Sequence, residues 1–137
     1  MKFVSFVPAI AWFLISVVLL ALPGDDLPSV HLFNIPYFDK VIHLGMFFLL
    51  TFLFSYPFIK TASEISFLIS TFNKIAIAVI AYGIFMEYIQ KAFVRGRSFD
   101  VIDMLFDTFG SVAGLLAVRL YYWKKIGPDG NQGRNQN

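Results

Sequence analysis

A few polar residues carry whatever chemistry this chain can do. They are Asp39, Lys40 and His43 in the segment FDKVIH, Glu87 and Gln90 in EYIQ, and Arg97, Asp100 and Asp103 in RGRSFDVID. Carboxyls and an imidazole brought together in a low dielectric can exchange protons with a bound molecule, which makes Glu87, His43 and Asp103 the candidate catalytic residues. Lys40, Arg95 and Arg97 can hold a phosphate, arginine in bidentate geometry. Asp39, Lys40, Gln90, Arg97 and Asp100 are accordingly the candidate ligand-binding residues. Ser98 beside Arg97 is a possible nucleophile, but a serine just before a helix more often belongs to a turn or cap. Neither G-x-S-x-G nor H-E-x-x-H occurs.

Helical spacing groups these residues. Asp39 and His43 share a face if their helix starts by Asp39, and Glu87 and Gln90 share another. Asp100, Asp103 and Asp107 form one stripe that runs on into Gly110, Ser111 and Gly114, and a polar stripe on a membrane helix is expected to face the bundle interior. Gly110 and Gly114 make a small-xxx-small pattern, and Gly83 lies one turn before Glu87. These glycines read as packing positions that let the third and fourth helices approach and hold Glu87 near Asp103. A divalent metal at His43, Glu87, Asp103 and Asp107 is disfavoured, because one histidine is weak ligand evidence and Lys40 and Arg97 compete. No cofactor is expected.

The elements that position these groups follow from composition. The chain has 137 residues, 58% hydrophobic and only 15% charged, against about 25% charge in soluble domains. With no cysteine, disulfide frameworks and thiolate chemistry are excluded. The net charge of +2 gives no argument for nucleic acid. Phe3 to Leu22 is a run without charge, about 30 Å long as a helix and matched to a bilayer core. A cleaved signal peptide is the alternative, but no clear A-x-A site precedes Pro23. Val41 to Ile59 is a second span. The uncharged runs Ile75 to Met86 and Thr108 to Val118 are too short alone, at about 18 and 16 Å. They reach spanning length only by taking in Glu87 and Gln90, and Asp103 and Asp107, respectively. The fold class expected is therefore all-α, a membrane-embedded four-helix bundle within residues 1–126. Its helices fall at about 3–22, 41–59, 75–93 and 101–123, with 60–74 as a partly amphipathic connection and 127–137 as a disordered tail.

Four spans put both termini on one side, together with Lys2, Lys60, Lys74, Arg119, Lys124, Lys125 and Arg134. Lys40, Lys91, Arg95 and Arg97 fall on the other. By the positive-inside rule the termini face the cytoplasm and the protein is a multi-pass protein of the inner membrane. Seven of the nine acids lie on the outer half, leaving Glu64 and Asp129 inside. Tyr121, Tyr122 and Trp123 followed by Lys124 and Lys125 form an interfacial anchor. Trp12 packs mid-helix, and His31 is a solvated loop residue.

At its polar segments the sequence resembles the VanZ-like family of small bacterial membrane proteins. The matching pieces are DKVIHLGMFFLLTFLF, AYGIFMEYIQ and RGRSFDVIDMLFDTFGSVAGLL, over roughly residues 36 to 118. The ordered set D-K-x-x-H, E-x-x-Q and R-S-x-D-x-x-D is specific only as a combination. It maps onto Asp39, Lys40, His43, Glu87, Gln90, Arg97, Asp100 and Asp103. Asp107 departs from the Asn expected in many relatives, and an acid there bears on the protonation of Asp103. The family is named for a protein linked to teicoplanin resistance. The resemblance therefore implies a cell-envelope lipid or peptidoglycan-related ligand and names no reaction. Four functions stay open: binding or modulation of a membrane lipid or lipid-linked envelope precursor; acid/base catalysis on a lipid-linked phosphate; ion pairs that merely close the bundle; and transport. Against transport, the uncharged runs 75–86 and 108–118 read as a plug. The oligomeric state is open.

Overall fold

The computed structural model describes residues 3–22, 38–60, 64–94, 96 and 99–126. Arg95, Arg97, Ser98, His31 and the tail 127–137 lie outside them. Four α-helices make up the described chain: α1 Val7–Ala21, entered through a 3-10 turn at Phe3–Phe6, α2 Phe38–Ile59, α3 Ile65–Phe93 and α4 Val101–Ile126. Each is long and apolar enough to span a membrane. The protein is an all-α four-helix bundle of the multi-pass membrane type.

Cross-helix bonds define the arrangement. α2 and α4 run the same way, since Lys40 meets Asp103, His43 meets Asp107 and Thr51 meets Ser111. α3 runs against them, with Glu87 near Asp100 and Asn73 bonded to Arg119. α1 runs with α3, as Ser16 meets Tyr82 and Leu20 meets Gln90.

The bounds differ from the sequence expectation chiefly in α3, which starts at Ile65 and not near 75. Its buried positions run Leu68, Phe72, Ala76, Val79, Gly83, Met86, Glu87 and Gln90, an unbroken helical stripe into which Lys74 does not intrude because it lies on the exposed face. The charge interrupts the composition but not the periodicity. α1 ends where Leu22 turns extended, at ψ 136, as expected for the residue before a proline.

Lipid tails are as apolar as leucine, so close packing and hydrogen bonds must hold these helices together, not burial of apolar surface. The tightest seam lies between α2 and α4. A Cβ on Gly110 would clash with the carbonyl oxygen of Leu44, and one on Gly114 would stand 2.5 Å from that of Phe48. These two glycines therefore serve α2 and not α3, which corrects the expectation above. The i to i+4 spacing aims them wherever the Asp103–Asp107 stripe points, and that stripe faces α2. Gly83 admits α3 to the same seam, as its Cβ would lie 2.8 Å from the Phe47 ring and 2.9 Å from Asp107 Oδ2. Thr51 and Ser111 share a 2.7 Å bond midway along the seam, and Ser111 also reaches the Ala76 carbonyl at 3.4 Å.

α1 is the most lipid-exposed helix, with only Ala9, Ser16 and Leu20 buried. Polar ties fasten it: Trp12 Nε1 donates to the Met46 carbonyl at 3.1 Å, and Ser16 Oγ lies 3.0 Å from the Tyr82 hydroxyl.

Gly110→Ala should lower the thermal midpoint in detergent, since α2 and α4 must part to admit one methyl, at a cost of about 1–3 kcal/mol. Gly45→Ala is the control, because no atom lies within 4 Å of that Cβ position. Equal midpoints for the two variants would refute the tight α2–α4 seam.

Candidate functional site

The short connection from α3 to α4 builds one wall of the site. α3 stops at Val94, whose backbone is extended at φ −99 and ψ 117. Gly96 follows at φ 76, a left-handed conformation that suits glycine. The chain then reverses so that the Asp100 amide donates to Glu87 Oε2 at 3.0 Å. Phe99 is held against α3, its ring 5.3 Å from that of Tyr88 and beneath the Lys91 ammonium at 5.8 Å. Asp100 caps α4, its Oδ1 accepting the Ile102 amide at 2.8 Å.

The other wall is the start of α2. Lys40 is 7% exposed and reaches across to α4. Its ammonium donates to Asp100 Oδ2 at 2.6 Å and to Asp103 Oδ1 at 2.5 Å, and lies 3.2 Å from Asp39 Oδ2. One turn deeper, His43 Nδ1 lies 2.9 Å from Asp107 Oδ1, with both residues buried. Glu87, 1% exposed, stands within electrostatic reach of His43, Asp103 and Asp107. The cluster therefore holds five carboxyls against one ammonium and one imidazole. Asp100, which lies just outside the spanning segments, has its carboxyl held below the ordinary carboxylate range, chiefly by the Lys40 hydrogen bond and in spite of partial burial.

Asp39, Lys40, His43, Glu87, Asp100 and Asp103 thus gather at one end of the bundle. Their roles divide by depth. Asp39 and Asp100 form the accessible rim, with side chains 56% and 35% exposed, while Lys40 and Asp103 are nearly closed off. Asp39 and His43 do not act as a pair, because Asp39 turns to Lys40 and His43 to Asp107. Gln90 is also brought to this end, but its amide donates to the Leu20 carbonyl at 2.8 Å. It joins α3 to the last turn of α1. Arg97 lies outside the described residues, and so do Arg95 and Ser98.

Asp107 is the group whose place the spacing understated. It lies four residues beyond Asp103, and His43 lies three beyond Lys40; each step is about one helical turn, so two parallel helices can match the two pairs. The signal was present once α2 and α4 were known to be neighbours. Among the described residues no group of three or more His, Asp or Glu is arranged to hold a metal ion.

Lys40→Met should destabilise the protein by about 3–5 kcal/mol, because it leaves the buried Asp103 carboxylate unpaired. Adding Asp103→Asn should recover part of that loss, and urea or thermal unfolding in detergent would show it. If the double variant falls by the sum of the two single losses, the pair does not act as one unit.

No curated protein and no solved structure matches the chain. A family model does, that of VanZ/LLP1, over residues 2–122. That span takes in α1 to α3, α4 as far as Tyr122 and every described member of the cluster, and the chain belongs to the VanZ/LLP1 family.

Proposed function

We propose that this is a multi-pass protein of the inner membrane, with both termini in the cytoplasm, whose outward-facing cluster binds a cell-envelope lipid or peptidoglycan-related ligand through a positively charged group, such as a primary ammonium. One observation carries the reading: Lys40 is surrounded by three carboxylates, of which Asp39 and Asp100 are accessible. A single buried ammonium does not neutralise them. Among the described residues the rim is left negative, in a low dielectric where charge counts for more. Lys40 is also spent on these acids, which argues against its holding a phosphate as the sequence led us to expect.

A second reading has one observation in its favour. Asp107 at Nδ1 fixes the ring of His43, and an imidazole oriented by a carboxylate is suited to general acid/base work. On that reading His43, Glu87 and Asp103 act on a lipid-linked compound.

Titration of the detergent-purified protein with an amine-bearing envelope lipid, and with the same lipid N-acetylated, separates these ideas. The free amine should bind at least tenfold more tightly, and Asp39→Asn with Asp100→Asn should abolish the difference. Equal binding of the two lipids would sink the cationic-ligand reading. Loss of the head group over time, dependent on His43 and Glu87, would favour the enzyme.

Orientation has its own test, because the chain lacks cysteine. Single cysteines at Asp25 and Gly130 should label from outside and from inside, respectively, with an impermeant thiol reagent. The reverse pattern would place the cluster at the cytoplasmic face.

A further inference from the structure

The far end of the bundle has the opposite charge. Lys60, Lys74, Arg119, Lys124 and Lys125 lie there, and Glu64 is the only acid among the described residues at that end. Arg119 differs from the surrounding lysines in being positioned from within the bundle. Its Nη2 donates to Asn73 Oδ1 of α3 at 2.7 Å, and its Nε is buried with no hydrogen-bond partner among the described residues. It forms no salt bridge with any described residue. Asn73 supplies an acceptor but no charge.

Depth gives this cation its meaning. From Asp103 to Arg119 the helix advances about 24 Å, somewhat less than the hydrocarbon thickness of about 30 Å. The guanidinium therefore stands at the far edge of the hydrocarbon, next to the level of lipid phosphates. An uncompensated charge there is costly. A phosphate diester supplies both the countercharge and paired oxygen acceptors that suit a guanidinium fork. Trp123 lies one turn further along the same face of α4 and is half exposed, as interfacial tryptophans are.

We propose that Arg119, positioned by Asn73 and flanked by Trp123, is a binding site for the phosphate of an anionic lipid headgroup in the leaflet at this end. The site is independent of the ligand proposed for the acidic cluster and of which end faces the cytoplasm. It also differs from the general positive charge of the rim. Lys60 and Lys125 sit over the Tyr56 and Tyr121 rings at 5.4 and 6.0 Å, and α4 presents Lys125 on a different face from Arg119.

Native mass spectrometry of the full chain in detergent, titrated with phosphatidylglycerol or with phosphatidylcholine of identical acyl chains, tests the site. The wild type should retain phosphatidylglycerol about tenfold more strongly, a difference of about 1.4 kcal/mol. Arg119→Gln removes the charge but keeps a donor for Asn73, and should erase that preference; Arg119→Lys should keep part of it, and Lys125→Gln nearly all. Equal loss in Arg119→Gln and Lys125→Gln would show a diffuse surface charge and overturn the site. So would a wild type that holds both lipids alike, or displacement of phosphatidylglycerol by millimolar inorganic phosphate. If Arg119→Gln cannot be recovered folded, the Arg119→Lys and Lys125→Gln pair decides: a larger loss of preference in Arg119→Lys upholds the site, and an equal or smaller one overturns it.

Discussion

An ammonium enclosed at the end of a hydrophobic bundle must be neutralised where it stands, and much of this structure follows from how that is done for Lys40. Its side chain is long enough to cross from α2 to α4, where Asp103 and Asp100 receive it. That crossing requires the two helices to lie close, and Gly110 and Gly114 permit it by bringing the α4 backbone against the carbonyls of Leu44 and Phe48. Close approach and ion pairing are thus one constraint. Both glycines pack beyond Lys40 along α2, against Leu44 and Phe48, yet a wider seam would leave its ammonium short of Asp103 and strand both charges in a medium that solvates neither.

Asp100 extends the constraint to the third helix. Its carboxylate takes the Lys40 proton donor and caps α4, while its amide satisfies Glu87. Three helices are fixed at one residue. This gives Glu87 a reason to be buried apart from any chemistry: it secures the turn that returns the chain from α3 to α4. α1 is joined to the same end through Gln90 and the Leu20 carbonyl. It otherwise rests on few contacts, so the cluster is built by α2, α3 and α4 with α1 lying against them.

How far the sequence disclosed this differs by feature. The four spans were legible because uncharged runs of bilayer length have few other uses, and the polar residues of the cluster stood out because the bilayer tolerates so few. The start of α3 was hidden by Lys74 and Glu64, since composition records that a charge is present and not which way it faces. Helix pairing was hidden for a different reason. The spacing of Gly110 and Gly114 shows that something packs closely there, but Leu44 and Phe48 meet them through backbone oxygens, which every residue has and no sequence pattern marks. The Asp107–His43 pair depended on that same missing fact.

The separation of charge between the two ends follows from the same economy. Among the described residues at the cluster end acids outnumber bases, and the buried Lys40 ammonium is enclosed by carboxylates. At the other end the described bases outnumber Glu64 five to one, and among the described residues Arg119 meets a neutral amide and no carboxylate. If ion pairs served merely to close the bundle, each end would be expected to balance its own charges, as buried pairs must. Among the described residues neither does, and the imbalances have opposite sign. An end left negative beyond its own cation and an end left positive beyond its own acid are what the two binding proposals set out to explain. In a membrane, the nearest sources of such charge are the polar groups of the lipids and envelope compounds around it.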